Sequence, residues 1–446
     1  MSETLDKILI SSDSPKWHEE IRTLKASLKR ASFFEPGGKE DRQIDQVLEK
    51  FRSSPLGRRD SILGNYTEQF DDVKLPSSQF RISQRELKKA HQKIDKKLLV
   101  SIRKAIVNVR KYQKNIFIGT AKKDSNSAGI KYTHIKRVGI CAPGASAPLP
   151  STVIMTAVPA QVAGVEEIVV VSPPRYNQTI HPVTLAVCQE LGVNEVYRVG
   201  GIQAIAALTY GTPTINRVDK IVGPGNTWVQ TAKKKVFGYV GIDSVAGPSE
   251  VLIIADKSAN PAWVAADMLS QAEHSPGSAV LFTNSKELAN NVLTELKKQF
   301  EMLDRKRETF ECLLNYSRII TFKKFGEVVI QANFFAPEHL EILCGKNSRQ
   351  SAKKIENAGA IFIGDYSPVA VGDYFAGPSH TLPTGGCARF SSALTSNDFI
   401  KSTSIIEYDK KKLAESAEDI IRLAEAEGLD AHAKSIWLRL GLRQDE

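Results

Sequence analysis

The sequence predicts an α/β protein built on parallel sheet, with a helical N-terminal region and a helical C-terminal tail. Three observations predict this. From Arg137 onward, short β-branched runs alternate with longer stretches of small and apolar residues at helical spacing, the texture of successive strand–helix units. Residues 1–116 instead repeat apolar side chains every three to four positions, as in Ile44, Val47, Leu48 and Phe51. Lys410–Glu425 is an unbroken amphipathic stretch with Gly428 just beyond its end.

Taken in order, helical periodicity recurs at Leu98, Leu99, Ile102, Ile106 and Val109, and Pro/Gly pairs at 35–38 and 54–57 punctuate the N-terminal region. Strands are expected at Val138–Cys141, Glu167–Val171, Glu195–Val199, Lys220–Val222, Val251–Ala255, Ala279–Phe282 and Ala360–Ile363. Helices are expected between them at Val153–Val165, Gln203–Tyr210, Thr227–Phe237 and Pro261–His274. There is room for two sheets, one over roughly 137–246 and one over roughly 250–380. A tail helix so short and polar has no core of its own and must pack on the main body or on a second subunit.

The chain has 446 residues, 42% hydrophobic and 25% charged, which suits a globular protein of two or three domains. No apolar run approaches the ~18 residues of a membrane span. The start, Met1-Ser-Glu-Thr-Leu-Asp-Lys7, is polar and acidic, unlike a secretory or transit peptide, so a cytoplasmic setting is expected. Five scattered cysteines without a C-x-x-C pair argue against a disulfide framework and against a thiolate metal site. The net charge of +10 lies in residues 1–130, which hold 27 Lys and Arg against 17 Asp and Glu. A nucleic-acid-binding arm would be basic too. Here the bases are mixed with acids in helical stretches such as Arg85–Leu99, which reads as a solvated helix face.

The chemistry concentrates near four histidines. Gln271 and His274 are spaced to share one face at a helix end and can converge on one cation; the alternative is a polar surface with a histidine at the helix C-terminus. Glu338 and His339 are adjacent, so they point in different directions and can serve two reacting atoms; the alternative is an exposed helix start. Asp373 and His380 share a Gly/Pro-rich loop after the strand Ala360–Ile363, and such loops gather ligands at strand C-terminal ends. Glu427 and His432 lie on the tail. Gln and His with remote Asp and His supply oxygen and nitrogen ligands without thiolate, as an open zinc-type site requires. Gly223-Pro-Gly-Asn226 follows a strand and opens a helix, and residues 143–150 form another strand-to-helix loop. Backbone this open suits a cofactor phosphate, although neither G-x-G-x-x-G nor a P-loop is present.

Together these segments closely resemble the histidinol dehydrogenase family. The resemblance is carried by Gly200–Gly211, Val218–Asn226, Ala246–Leu252, Ala265–His274, Ala336–Glu341, Val371–His380 and Ala424–Leu429. It is dense over 137–442 and looser before. It implies oxidation of L-histidinol through the aldehyde to L-histidine with two NAD+, and zinc as cofactor. It implies two incomplete Rossmann-like parallel-sheet domains, the first from 1–36 plus 137–246 and the second from 37–136 plus 247–379. It also implies a homodimer in which the tail, 380–446, is swapped onto the partner. Matched residue by residue, Gln271, His274, Asp373 and His432 are metal ligands, and Glu338 and His339 the acid/base pair. Ser249, His339, His380 and Glu427, with the metal ligands, meet substrate; Cys141, Gln203 and Asn226 lie at the NAD contacts. No nucleic acid or membrane is implied. The chain departs from the family at Cys141, where many members have Tyr, at Ser275 for Asp, at Ser379 for Asn, and in an Arg-rich insertion at 53–59. A relative on this fold that oxidises another small alcohol, such as a sulfonated diol, is the rival reading. Retention of Glu427 and His432 speaks against it.

Overall fold

The structure is a computed structural model and describes residues 2–119, 123–124, 128–144, 148–274 and 276–441. Two compact units are present: Met1–Phe117 with Ile135–Phe399, and Ile118–His134 with Ile400–Glu446. Fourteen strands occur among the described residues. In chain order they are β1 (Leu9–Ser11), β2 (Lys123–Asp124), β3 (Ala128–His134), β4 (Arg137–Cys141), β5 (Glu167–Val171), β6 (Glu195–Tyr197), β7 (Lys220–Val222), β8 (Gly241–Ile242), β9 (Ser249–Ala255), β10 (Gly277–Thr283), β11 (Arg318–Thr321), β12 (His339–Leu343), β13 (Ala360–Ile363) and β14 (Ile400–Ile406).

The larger unit contains two all-parallel sheets. One has the order β6-β5-β4-β7-β8 and the other β1-β11-β10-β9-β12-β13. In the first, the chain runs outward from β4 through β5 to β6, then returns to the other side of β4 as β7. The gap between the C-terminal ends of β4 and β7 is therefore a topological switch point, where open α/β sheets bind ligands. The central strands of both sheets are buried on two faces, as continuous apolar runs predict. Val251 and Ile253 pack into one core while Leu252 and Ile254 pack into another.

The expected strands are all present, three with the expected bounds and the rest with ends shifted by one or two residues, and in the two parallel sheets β1, β8, β11 and β12 join them. The N-terminal segments are distributed the other way round from the family-based expectation. Residues 1–36 belong to the second sheet: Leu9 pairs in register with Ile319, and Leu5, Ile8, Ile21, Leu24 and Leu28 are buried in its two cores. The helices Lys39–Ser53 and Arg59–Asp71 instead cover the first sheet, with Ile44, Val47, Leu48, Phe51 and Leu63 in its core. Periodicity shows that a helix has an apolar face but not which sheet will receive it.

Several local devices position the site. Asn260 caps the helix Pro261–Ala272 by accepting the Ala262 N–H, with Pro261 pre-set at its first position. That helix ends at Ala272, so His274 lies beyond it and not on the same helical face as Gln271. The helix Phe325–Phe335 ends at Ala336, which takes a left-handed conformation at φ 51° and redirects the chain into β12. Glu338 and His339 thus enter a buried strand; they do not begin an exposed helix. Asp373 sits in a short helix, Val369–Tyr374, and not in an open loop.

The smaller unit is an antiparallel sheet, β14-β3-β2, with the helices Lys410–Ala426 and Asp430–Leu440. The tail unit therefore starts at Ile400, not 380, and includes residues from before β4. Its helices bury only Ala417, Ala424 and Ala433. No helix among the described residues is long and apolar enough to cross a membrane.

Candidate active site

The site starts from the parallel pairing of β9 with β12, which sets His339 opposite Val251 and brings Ser249-Glu250 beside Glu338. The Glu338 carboxylate accepts the Ser249 hydroxyl and the Glu250 N–H, both at 2.8 Å. Glu250 returns the bond, accepting the Glu338 N–H at 3.2 Å and the Gly385 N–H at 3.0 Å. Both carboxyls are buried. Burial raises Glu338 above the ordinary carboxylate range. Burial, with the neighbouring Glu338 charge, pushes Glu250 up to about 7. Two carboxylates this close in a low dielectric resist being ionised together.

His339 Nδ1 lies 3.2 Å from the Glu250 carbonyl oxygen. A carbonyl only accepts, so Nδ1 carries the proton and Nε2 is the free nitrogen. Nε2 has no hydrogen-bond partner and points toward Asp373 Oδ1, 3.6 Å away. Burial opposes a charged imidazolium here, but Glu338 and Asp373 outweigh it and raise His339 to about 9. Asp373 is held below its ordinary value: desolvation opposes this, and the charges of His339, His380 and His274 overcome it. Of the residues expected to act together, Ser249, Glu338, His339 and Asp373 form one contact chain, with His274 and His380 in electrostatic reach.

Gln271 is buried at the end of its helix, and its side-chain nitrogen has no partner. Its backbone carbonyl accepts the His274 backbone N–H at 3.3 Å. His274 opens onto a cavity, yet the protein around it desolvates the ring and lowers its pKa. His380 Nε2 lies 3.3 Å from the Ser151 hydroxyl, and Ser379 holds the Met155 carbonyl at 3.0 Å. Among the described residues, no three His, Cys, Asp or Glu side chains surround a common metal position. Glu427 and His432 belong to the smaller unit, where both are exposed, Glu427 at a helix end and His432 within the last helix.

A cavity of about 1240 Å³ completes the site. It is lined by Cys141, Gln203 and Asn226 from the first sheet's C-terminal side and by Ser249 and His274 from the second sheet. Gln203 donates to Asp71 at 3.0 Å and its carbonyl oxygen is unpartnered. Asn226 caps the helix Thr227–Val236. Cys141 is buried, which pushes its thiol up to about 12, so it is a wall and not a nucleophile. Residues 145–147 of the loop after β4, and Ser275, lie outside the described residues.

A family model described as histidinol dehydrogenase matches residues 38–440. The chain belongs to the histidinol dehydrogenase family. It is 47% identical over 403 residues to the histidinol dehydrogenase of Oceanobacillus iheyensis, covering 90% of this chain and 94% of that one. It is 46% identical over 405 residues to that of a Synechococcus strain, covering 89% and 91%. A crystal structure of histidinol dehydrogenase from Elizabethkingia anophelis superposes with a TM-score of 0.85 at 35% identity, covering 93% of this chain and 96% of that chain.

Within the family frame, Glu250 stands out as a residue that sequence reasoning passed over. Its signal was a lone acid at the start of an otherwise apolar strand, Glu250–Ala255. Glu341 is similar. It projects on the same strand face as His339, accepts the Val369 N–H at 2.8 Å, and is raised by burial and by nearby Asp267. Glu250 supplies a test. Its value near 7 in the folded chain exceeds the ordinary 4.5, so the stability it contributes is complete below 4.5 and is lost as pH rises through 7. Between pH 5 and pH 8 the wild-type chain should lose about 1–3 kcal/mol more than Glu250→Gln, read from urea unfolding. Parallel curves would mean that the carboxyl is ionised throughout.

Proposed function

We propose that this chain, in the cytoplasm, oxidises L-histidinol to L-histidinaldehyde and then to L-histidine, reducing two NAD+. The chain is an oxidoreductase of a family that uses NAD and completes histidine biosynthesis. The reading is carried by one cavity lined both by Gln203 and Asn226 and by Ser249 and His274, with Glu338 bonded behind Ser249. A hydride donor and a dinucleotide can meet there without crossing solvent.

In the first oxidation, His339 Nε2 takes the hydroxyl proton as hydride leaves the carbinol carbon. Its Nδ1–H bond to Glu250 fixes the ring while this happens. In the second, Glu338 activates the water that adds to the aldehyde, and Ser249 orients the carboxylate. His380 and Glu427 bind the substrate's polar groups. The unpartnered buried amide of Gln271, the cavity-facing His274 and the depressed Asp373 carboxylate fit a divalent metal such as zinc. Those three would hold it together with His432. Bound there, the metal would supply a template for the substrate's imidazole and amino groups.

The tail supports a homodimer. Leu423, Leu438 and Ile406 are 66%, 71% and 76% exposed, and its helices have almost no core. Docked on a second copy, such a tail covers its apolar side chains and brings Glu427 and His432 to the neighbour's site.

Three outcomes are expected. Complete turnover should yield two NADH per histidinol with little free aldehyde. Glu338→Gln should slow aldehyde oxidation by ~10²–10⁴-fold and alcohol oxidation much less, whereas His339→Asn should impair both. Equal small effects on both steps would reassign the two roles.

Metal should be recovered at one zinc per chain by elemental analysis, and His274→Ala should retain far less. Chelation should abolish turnover and zinc restore it. Full activity in metal-free protein would remove the metal from the reading.

Mixing a His432→Ala chain with a Glu338→Gln/His339→Asn chain, each nearly inactive alone, should restore about one quarter of wild-type activity under free exchange of an isologous dimer. No recovery, with exchange confirmed by mass spectrometry, would mean that each tail completes its own chain's site.

A further inference from the structure

Pro224, Gly225 and Asn226 form part of the cavity wall, and a buried ion pair that the oxidation chemistry does not use stands behind this loop at Gly223. Lys233 lies on the helix Thr227–Val236 and Asp243 just beyond β8. Their side chains are only 1% and 3% exposed, and their charged atoms are 2.5 Å apart. Lys233 is one of three consecutive lysines. Lys234 lies over the Phe33 ring and Lys235 pairs with Asp41 and Asp45; Lys233 alone of the three is buried.

Both partners hold the backbone of the same residue. Lys233 Nζ donates to the Gly223 carbonyl at 2.9 Å. Asp243 Oδ2 accepts the Gly223 N–H at 2.7 Å, while Oδ1 accepts the Ser244 N–H at 2.7 Å. Gly223 has φ +107°, and a Cβ there would lie 2.4 Å from the Cys141 carbonyl oxygen. The residue is therefore pinned between the end of β4 and the ion pair, at the switch point of the first sheet. A buried ion pair is seldom the most stabilising way to fill such a space, because desolvation offsets its attraction and an apolar pair of similar volume does as well. An apolar pair would leave both polar groups of Gly223 unheld.

We propose that Lys233 and Asp243 are positioning residues for the dinucleotide, fixing Gly223 and so the direction in which Pro224, Gly225 and Asn226 meet the cofactor. This rests on the reading that NAD+ occupies the cavity. The pair acts through the loop and touches no reacting atom. Its loss should weaken the cofactor's hold and leave histidinol binding and the chemical step nearly intact.

The test uses the full-length, metal-loaded protein. Removing one partner strands a buried charge, so the informative variant removes both, Lys233→Met/Asp243→Leu. It should fold, show a KM and a calorimetric Kd for NAD+ raised at least tenfold, and keep KM for histidinol and kcat at saturating NAD+ within about threefold. Amide exchange at 223–226 should be faster than in wild type. If that variant does not fold, Lys233→Met/Asp243→Asn, which keeps an acceptor for the Gly223 N–H, should show a smaller rise in the NAD+ constants alone. NAD+ binding at wild-type strength in a folded double variant would overturn the proposal. The cavity reading is checked separately in the unmodified protein, where NAD+ should slow amide exchange at Gly223, Gly225 and Asn226. Absence of that protection would remove the cavity reading, and the proposal with it.

Discussion

The parallel pairing of β9 with β12 is the constraint on which the rest of the site depends. It places two strand beginnings side by side, so Glu250 and Glu338 exchange backbone-to-carboxylate hydrogen bonds across the ladder. Each acid satisfies a backbone N–H that would otherwise be buried without a partner, and each carboxyl is held where it can act on its neighbour's protonation. The His339 ring is fixed by the same ladder, because its Nδ1–H bonds to the Glu250 carbonyl. A one-residue slip in this register would turn His339 to the opposite face and separate Ser249 from Glu338.

The two sheets contribute to the site in opposite senses. The first offers the C-terminal ends of β4 and β7, the usual ligand edge of an open α/β sheet. The second offers strand beginnings, since Ser249 and His339 open β9 and β12. Asp373 reaches the same edge because the chain turns back after β13 into the helix Val369–Tyr374. The edge that carries Gln203 and Asn226 and the edge that carries Ser249 thus come from different sheets. At their junction lies a cavity of about 1240 Å³.

Buried charge is handled differently on the two sides. At the acid/base edge the carboxyls are crowded: burial raises both Glu250 and Glu338, with the Glu338 charge adding to the first and the Asp373 charge to the second. That makes the protonation of Glu250, at about 7, responsive near neutral pH. On the first-sheet side of the cavity the buried charges of Lys233 and Asp243 are matched one to one and each also holds a peptide group. The first arrangement favours proton movement, and the second favours a rigid backbone.

Much of the fold was legible in the sequence, because strands buried on both faces must be continuous apolar runs and the helices between them must carry helical periodicity. The strands at 167–171 and 220–222 were readable to the residue for that reason; the edge strand at 360–363, with Ile361 and Ile363 exposed, was readable from its apolar, β-branched run alone. Of the candidate site residues, the groupings Glu338-His339, Gln271 with His274, and Asp373 with His380 stood out in the sequence as chemistry-bearing, but the burial of Glu338 and His339 in a strand and the position of His274 beyond its helix did not. What the sequence could not carry was partnership at long range. Nothing local says that residues 1–36 join the second sheet, since an amphipathic helix packs equally well on any apolar face. Nothing local distinguishes Glu250 or Lys233 from surface acids and lysines, since a buried charge is recognised only by the partners that surround it. Local periodicity determined the elements of this protein; which elements adjoin, and therefore which charges are buried together, was decided by tertiary packing, because desolvation and hydrogen bonding depend on neighbours that are distant in the chain.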